Sequence, residues 1–214
     1  MAQSHTLRGA LALTLVLGLG ACAAGAYTGP IEVTRFAAPQ PAGLGQGTIA
    51  VRFAKELENE EALDAFRAAV SDELALLGYT VVGSEETASQ IATIDTSRTP
   101  VEAADTGSPV NVGVGGGAGT FGSGVGMGVG INLGGGRQSA RVISQLSVAI
   151  AQTGGPAGQP NLWEARAQFP TSVNSPYAPV AINARAMAAA IFQDFPQGGG
   201  ETVTLIAQDL VEPK

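Results

Sequence analysis

The side chains that do most enzymatic chemistry are scarce in this chain. Its 214 residues include one His and one Cys. Lysine occurs only at Lys55 and Lys214, so a Ser or Thr nucleophile would have almost no choice of base. The acidic pairs Asp72-Glu73 and Glu85-Glu86 fall on an expected helix surface and a loop, where they read as solvated charges. Gly117, Gly119 and Gly122 match the spacing of a dinucleotide fingerprint, but no helix begins after them to present its N-terminus to a phosphate. There is no Walker A sequence, serine elbow or metal-ligand cluster. The residues therefore predict a protein that is not an enzyme and needs no metal and no cofactor. The balance of 11 basic against 18 acidic residues, a net −7, argues against a nucleic-acid partner.

One residue does carry a chemical expectation. Arg8 and the terminal amine precede an apolar run from Ala10 to Leu19, too short for a spanning helix of roughly 20 residues but suited to a signal peptide. Leu19-Gly20-Ala21-Cys22 follows, and it resembles the bacterial lipobox: a Leu, two small residues, then Cys. In such proteins the thiol receives a diacylglyceryl group and the chain is cut before it. The small residues let the peptidase approach the backbone. Cys22 would then be a lipidated (palmitate-type) first residue of the mature chain. The alternative is ordinary secretory cleavage, for instance after Ala24-Gly25-Ala26, which would discard Cys22. Ala23 and Ala24, in place of the Asp that commonly retains lipoproteins in the inner membrane, point to the outer membrane and a periplasm-facing domain. Loss of residues 1–21 removes His5 and Arg8, leaving 10 basic and 18 acidic residues and no histidine. The commonest general base and transition-metal ligand would go with it.

The elements that follow predict a half-covered sheet. Ile31, Val33 and Arg35 alternate with Glu32, Thr34 and Phe36 as a short strand, and Thr48 to Phe53 reads as the next. Asn59 to Leu77 reads as a helix with Leu63, Phe66, Val70, Leu74 and Leu77 on one stripe, stopped by Gly78. Strands are expected at Tyr79–Val82, Ser89–Thr96, Val142–Ile150 and Leu162–Phe169, the last two paired across a turn-rich loop at Gly154–Gln159. Pro179 opens a helix to about Phe195, with Ile182, Met187, Ile191 and Phe195 as core candidates. Gly198-Gly199-Gly200 ends it before a last strand at Glu201–Ile206.

The 13 glycines in the 27 residues from Val110 to Gly136 are the anomaly. Val110, Val112 and Val114 fall on even positions, and Val125, Met127, Val129, Ile131 and Leu133 on odd ones, with no charge in between. Period two means extended strands with one apolar side and one nearly bare side, joined by a tip at 116–124. Three readings stand side by side: a sheet insertion of loosely specified register, a self-association surface, or a hairpin that enters a bilayer once oligomers close its edges.

Several of these features occur together in one group. They are the lipobox ending at Cys22, the helix closing with Leu76-Leu77-Gly78-Tyr79, the Val-Gly tract, the strand Leu162-Trp163-Glu164-Ala165, and the ending Phe195-Pro196-Gln197-Gly198-Gly199-Gly200-Glu201-Thr202-Val203. Over roughly residues 30–206 the chain resembles the bacterial lipoproteins of domain-of-unknown-function family 4136. The resemblance implies an envelope-facing α/β domain without established activity, and it assigns a role to Cys22 alone.

The sequence thus predicts an α/β fold of the α+β sandwich kind: a mixed sheet with two main helices packed on one face and a long Gly-rich β-hairpin insertion. Residues 1–21 are the signal peptide, 22–47 a tether and first short strand, 48–206 a single domain carrying the insertion at 110–136, and 207–214 a C-terminal tail. The expected role is a lipid-anchored binding or assembly module contacting the membrane through Cys22 and, through a sheet edge and the 110–136 segment, either a second copy or an envelope protein. The alternative role is an oligomeric membrane-inserting protein using the Gly-rich hairpins.

Overall fold

The strands expected outside the glycine-rich tract form a single seven-stranded mixed sheet. The computed structural model describes residues 26–39, 43–55, 60–101, 140–154 and 160–213. Cys22, Asn59 and the 110–136 tract lie outside them. The strands are β1 (Ile31–Ala37), β2 (Thr48–Phe53), β3 (Thr80–Val82), β4 (Gln90–Val101), β5 (Arg141–Gln152), β6 (Trp163–Ser172) and β7 (Gly199–Leu205). Their order across the sheet is β3-β2-β4-β5-β6-β1-β7. β2 runs parallel to β3 and β4, and the remaining pairs are antiparallel. The helices are α1 (Glu60–Leu76), α2 (Val180–Phe192) and the single turn α3 (Ala207–Leu210).

α1 forms where the apolar stripe predicts it, with Phe66, Val70 and Leu74 buried and Glu60 and Glu61 at its positive end. It stops at Gly78, whose φ of +102° favours a residue without a Cβ. α2 is buried nearly all round, from Ala184 and Met187 to Ala190 and Ile191, because it packs on β6, β1 and β5 below and on α1 beside it. Its alanines permit both approaches. The helix ends at Phe192, three residues earlier than expected. Asp194 takes a φ of 61°, outside the helical region, so Phe195 belongs to the turn that follows.

Two differences from the sequence reading come from β1. The strand looks short and weak, yet it lies inside the sheet between β6 and β7, with Ile31 and Val33 fully buried. Arg35 blurs its pattern, because the side chain faces the core. Its Nε donates to the Ile191 carbonyl at 2.8 Å and its Nη2 to the Ala190 carbonyl at 2.6 Å. A cation at the C-terminal end of α2 satisfies carbonyls that the helix itself cannot. The glycines after α2 also do more than end it. Gly199 and Gly200 belong to β7, and a Cβ on Gly198 would sit 2.7 Å from the Ala37 backbone nitrogen. The backbone can therefore close on β1 only through glycine. Past β7 the chain turns into α3, which packs on α2 with Ala207 buried.

Candidate interaction surface

The two helices cover the face carrying Ile49, Ile94, Leu146, Trp163 and Val33. Among the described residues no helix packs on the opposite face. That face presents Arg52 from β2, Thr93 and Asp95 from β4, Gln145 and Ser147 from β5, Arg166 and Gln168 from β6, and Phe36 from β1. A groove of about 510 Å³ opens there, floored by Ile91, Ala149 and Ala151 and rimmed by Arg52, Thr93 and Asn161. The Arg52 guanidinium is already engaged, with Nη1 on Glu85 at 3.2 Å and Nε on Thr93 at 3.1 Å.

Among the described residues the sheet has two edges of unlike character. β3 is three residues long, too short to template a partner strand. β7 is seven residues long, pairs with β1 on one side, and exposes Val203 at 37% and the following Ile206 at 58%.

One end of the sheet gathers the flanks of the segments that the sequence singled out. β4 and β5 stay in register through Val101 opposite Arg141, so the chain leaves β4 and returns into β5 at neighbouring positions. The N-terminal residues reach the same end. Tyr27 donates its backbone N–H to Ser172 Oγ at 2.7 Å, and Ser172 returns its own N–H to the Tyr27 carbonyl at 2.8 Å. Thr28 bridges Thr171 and shares a 2.6 Å hydroxyl contact with Ser175, while Gly29 donates to the Pro170 carbonyl at 2.9 Å. Arg141, which faces Ser172 across the β5–β6 pair, lays its guanidinium over the Tyr27 ring 4.2 Å from the centroid. Val173 closes the corner, 59% exposed, with its N–H on the Ala140 carbonyl at 3.0 Å.

Of the residues nominated from sequence, Cys22 and the eight apolar positions Val110, Val112, Val114, Val125, Met127, Val129, Ile131 and Leu133 lie outside the described residues. The described structure fixes where their flanks emerge. Tyr27, Arg141 and Val173 escaped the sequence reading because no spacing links them; they meet only through the end of β6. The acidic pairs divide. Glu85 and Glu86 are exposed, whereas Glu73 is half-buried, and burial followed by the Asp72 charge pushes its carboxyl above the ordinary range. Two arginines on the helix-covered face are pushed the other way by desolvation: Arg98, and Arg35, where Asp194 partly opposes the shift. Among the described residues there is no group of three metal-ligating side chains, and no helix is long and apolar enough to cross a membrane.

No known protein-family profile and no curated protein matches the chain. Solved structures of similar shape include the PelC dodecamer from Paraburkholderia phytofirmans, at 9% identity and a TM-score of 0.43 over 76% of this chain and 94% of that one. A PDZ domain protein from Parabacteroides distasonis aligns at 15% identity and a TM-score of 0.46, over 83% of this chain and 39% of that one. A DUF4136 family protein from Bacteroides thetaiotaomicron aligns at 13% identity and a TM-score of 0.39, over 77% and 95% respectively. These likenesses concern backbone shape, and the functional reading rests on the chain's own residues.

Proposed function

We propose that the protein is a non-catalytic envelope module, anchored by acylated Cys22 to the periplasmic side of the outer membrane, that holds a protein partner along the β7 edge. The observation that carries this reading is the lipobox Leu19-Gly20-Ala21-Cys22, followed within a few residues by a chain firmly pinned to the domain at Tyr27 and Thr28. The chemistry-bearing residues support a role in binding. The mature chain would have no histidine, and Arg35 and Arg52 are engaged in structural bonds.

β7 suits an extended partner, since an edge strand offers backbone groups and alternate side-chain positions to an added strand. Antiparallel pairing of two β7 edges would reverse the strand direction and point the two Tyr27 ends opposite ways. On a single membrane the edge therefore fits a strand of another envelope protein better than an upright second copy. Intact-mass measurement of the mature protein tests the anchor. A diacylglyceryl-bearing Cys22 in outer-membrane fractions is expected, and an unmodified chain beginning after Ala26 would refute it.

A further inference from the structure

We infer that the sheet end formed by Tyr27, Arg98–Val101, Ala140, Arg141 and Val173 rests on an anionic lipid surface. This builds on the acylation of Cys22 proposed above and adds which face of the domain meets the bilayer.

The chain is tied down from Tyr27 onward by its bonds to Ser172. Only five residue steps separate Cys22 from Tyr27, which extend to about 18 Å at most. A lipid on Cys22 would therefore keep this end, rather than the far end of the strands, beside the headgroups. Gln152, at the other end of the twelve-residue β5, lies roughly 37 Å along the strand from Arg141.

Among the described residues at this end, 26–30, 98–101, 140–144 and 170–178, the charged side chains are Arg98 and Arg141; in the sequence Glu102 and Asp105 follow Val101, and Arg137 precedes Ala140. Asp209 and Glu212, which reach this end electrostatically through Tyr177, belong to α3 and the residues after it, on the helical layer. Arg98 is half-buried with Nη2 on the Ala178 carbonyl at 2.7 Å, and Arg141 is held over the Tyr27 ring. Basic groups near an anionic surface are attracted to its phosphates.

An aromatic ring with a polar tip beside an arginine is a combination suited to the membrane–water interface. Val173 is 59% exposed beside it, and Pro100 and Pro176, both exposed, carry no N–H to desolvate. These groups are too few to recruit an unanchored protein. On a protein already tethered, they need only select an orientation.

The test uses the mature acylated protein in vesicles of phosphatidylethanolamine with phosphatidylglycerol. Acylation consumes the Cys22 thiol, so a spin label on Val173→Cys, or separately on Gln152→Cys, reports one site. Collision with a water-soluble nickel relaxant should be at least fivefold lower at 173 than at 152. Arg141→Glu, or omission of phosphatidylglycerol, should narrow that difference, and a difference unchanged by either would overturn the anionic contact. Equal exposure at both sites in a chain whose mass confirms acylation overturns the orientation while leaving the anchor intact. A non-acylated mass removes the anchor instead. Should Val173→Cys fold poorly, Pro176→Cys reads the same end.

Discussion

The indole of Trp163 lies nearly parallel to the ring of Phe192, 5.4 Å between centroids and 12° between planes. Phe195 meets the same indole edge-on at 5.1 Å, and Trp163 Nε1 donates to the Gln197 carbonyl at 3.3 Å. β6, the end of α2 and the turn before β7 are thus locked around one side chain. The most distinctive sequence features, Trp163 and Phe195-Pro196, are two halves of this packing unit. Phe192→Ala should cost about 3–5 kcal/mol. Urea unfolding followed by the emission of Trp163, the sole tryptophan, would read both the loss and a red shift.

Arg35 has a more unusual burial, with its two bonds made to the last carbonyls of α2. Removing it leaves buried acceptors unpaired. Arg35→Ala is expected to destabilise the fold by about 3 kcal/mol. Arg35→Lys should recover little, since a single ammonium cannot reproduce the fork. Full recovery by Lys in denaturant titrations would show that charge alone matters there.

Glu73 gives a pH signature. Its carboxyl is raised first by burial and then by Asp72, so the folded protein binds that proton more tightly than the unfolded chain does. The resulting stability is present below the unfolded pKa and is lost as pH rises through the folded pKa. At neutral pH the ionised form bears the cost of burial. Glu73→Gln should therefore raise Tm at pH 7 by on the order of 1 °C, a small effect because the group is half-exposed. No gain is expected near pH 3, and scanning calorimetry at the two pH values decides the matter.

For the β7 edge, a photoreactive residue at Thr204 in living cells is expected to give a discrete adduct with an envelope protein. Val203→Lys places a charge on an edge that carries only Glu201, and should reduce that adduct severalfold. An adduct of unchanged intensity, or an equal one from a probe at Asp72 on α1, would rule the edge out as the contact.

The alternative role has its own expected outcome. Under the anchoring proposal, vesicles loaded with dye stay sealed when the non-acylated Cys22→Ser chain is added at high concentration. Leakage would favour membrane insertion by the Gly-rich segment, whose apolar positions alternate as a membrane strand requires.

Much of the sheet was legible because alternation and helical spacing report burial directly. Phe66, Val70 and Leu74 fell on the buried stripe, and the β5–β6 pair closed with Ile150 opposite Trp163. β1 was harder to place, since an inward-facing Arg35 breaks the rule that charge points outward, and its partners Ala190 and Ile191 are more than 150 residues away. Glu73 was misjudged for a related reason: a helix surface is only as solvated as its tertiary neighbours allow. The Tyr27–Arg141 corner could not be read at all, because its members share no local pattern and are brought together by the register of β5 on β6.

The twelve matched pairs of β4 and β5 end at Val101 and Arg141, and this makes the sheet a socket. Directly opposed residues in an antiparallel pair sit about 5 Å apart, so whatever is inserted between them starts and finishes at fixed posts. Doubling the length of a chain that bridges two such posts costs only about 0.6 kcal/mol in closure entropy. Selection could lengthen, shorten or replace residues 102–139 almost independently of the scaffold. The scaffold thus tolerates a change of chain length at this point at little cost to its own fold.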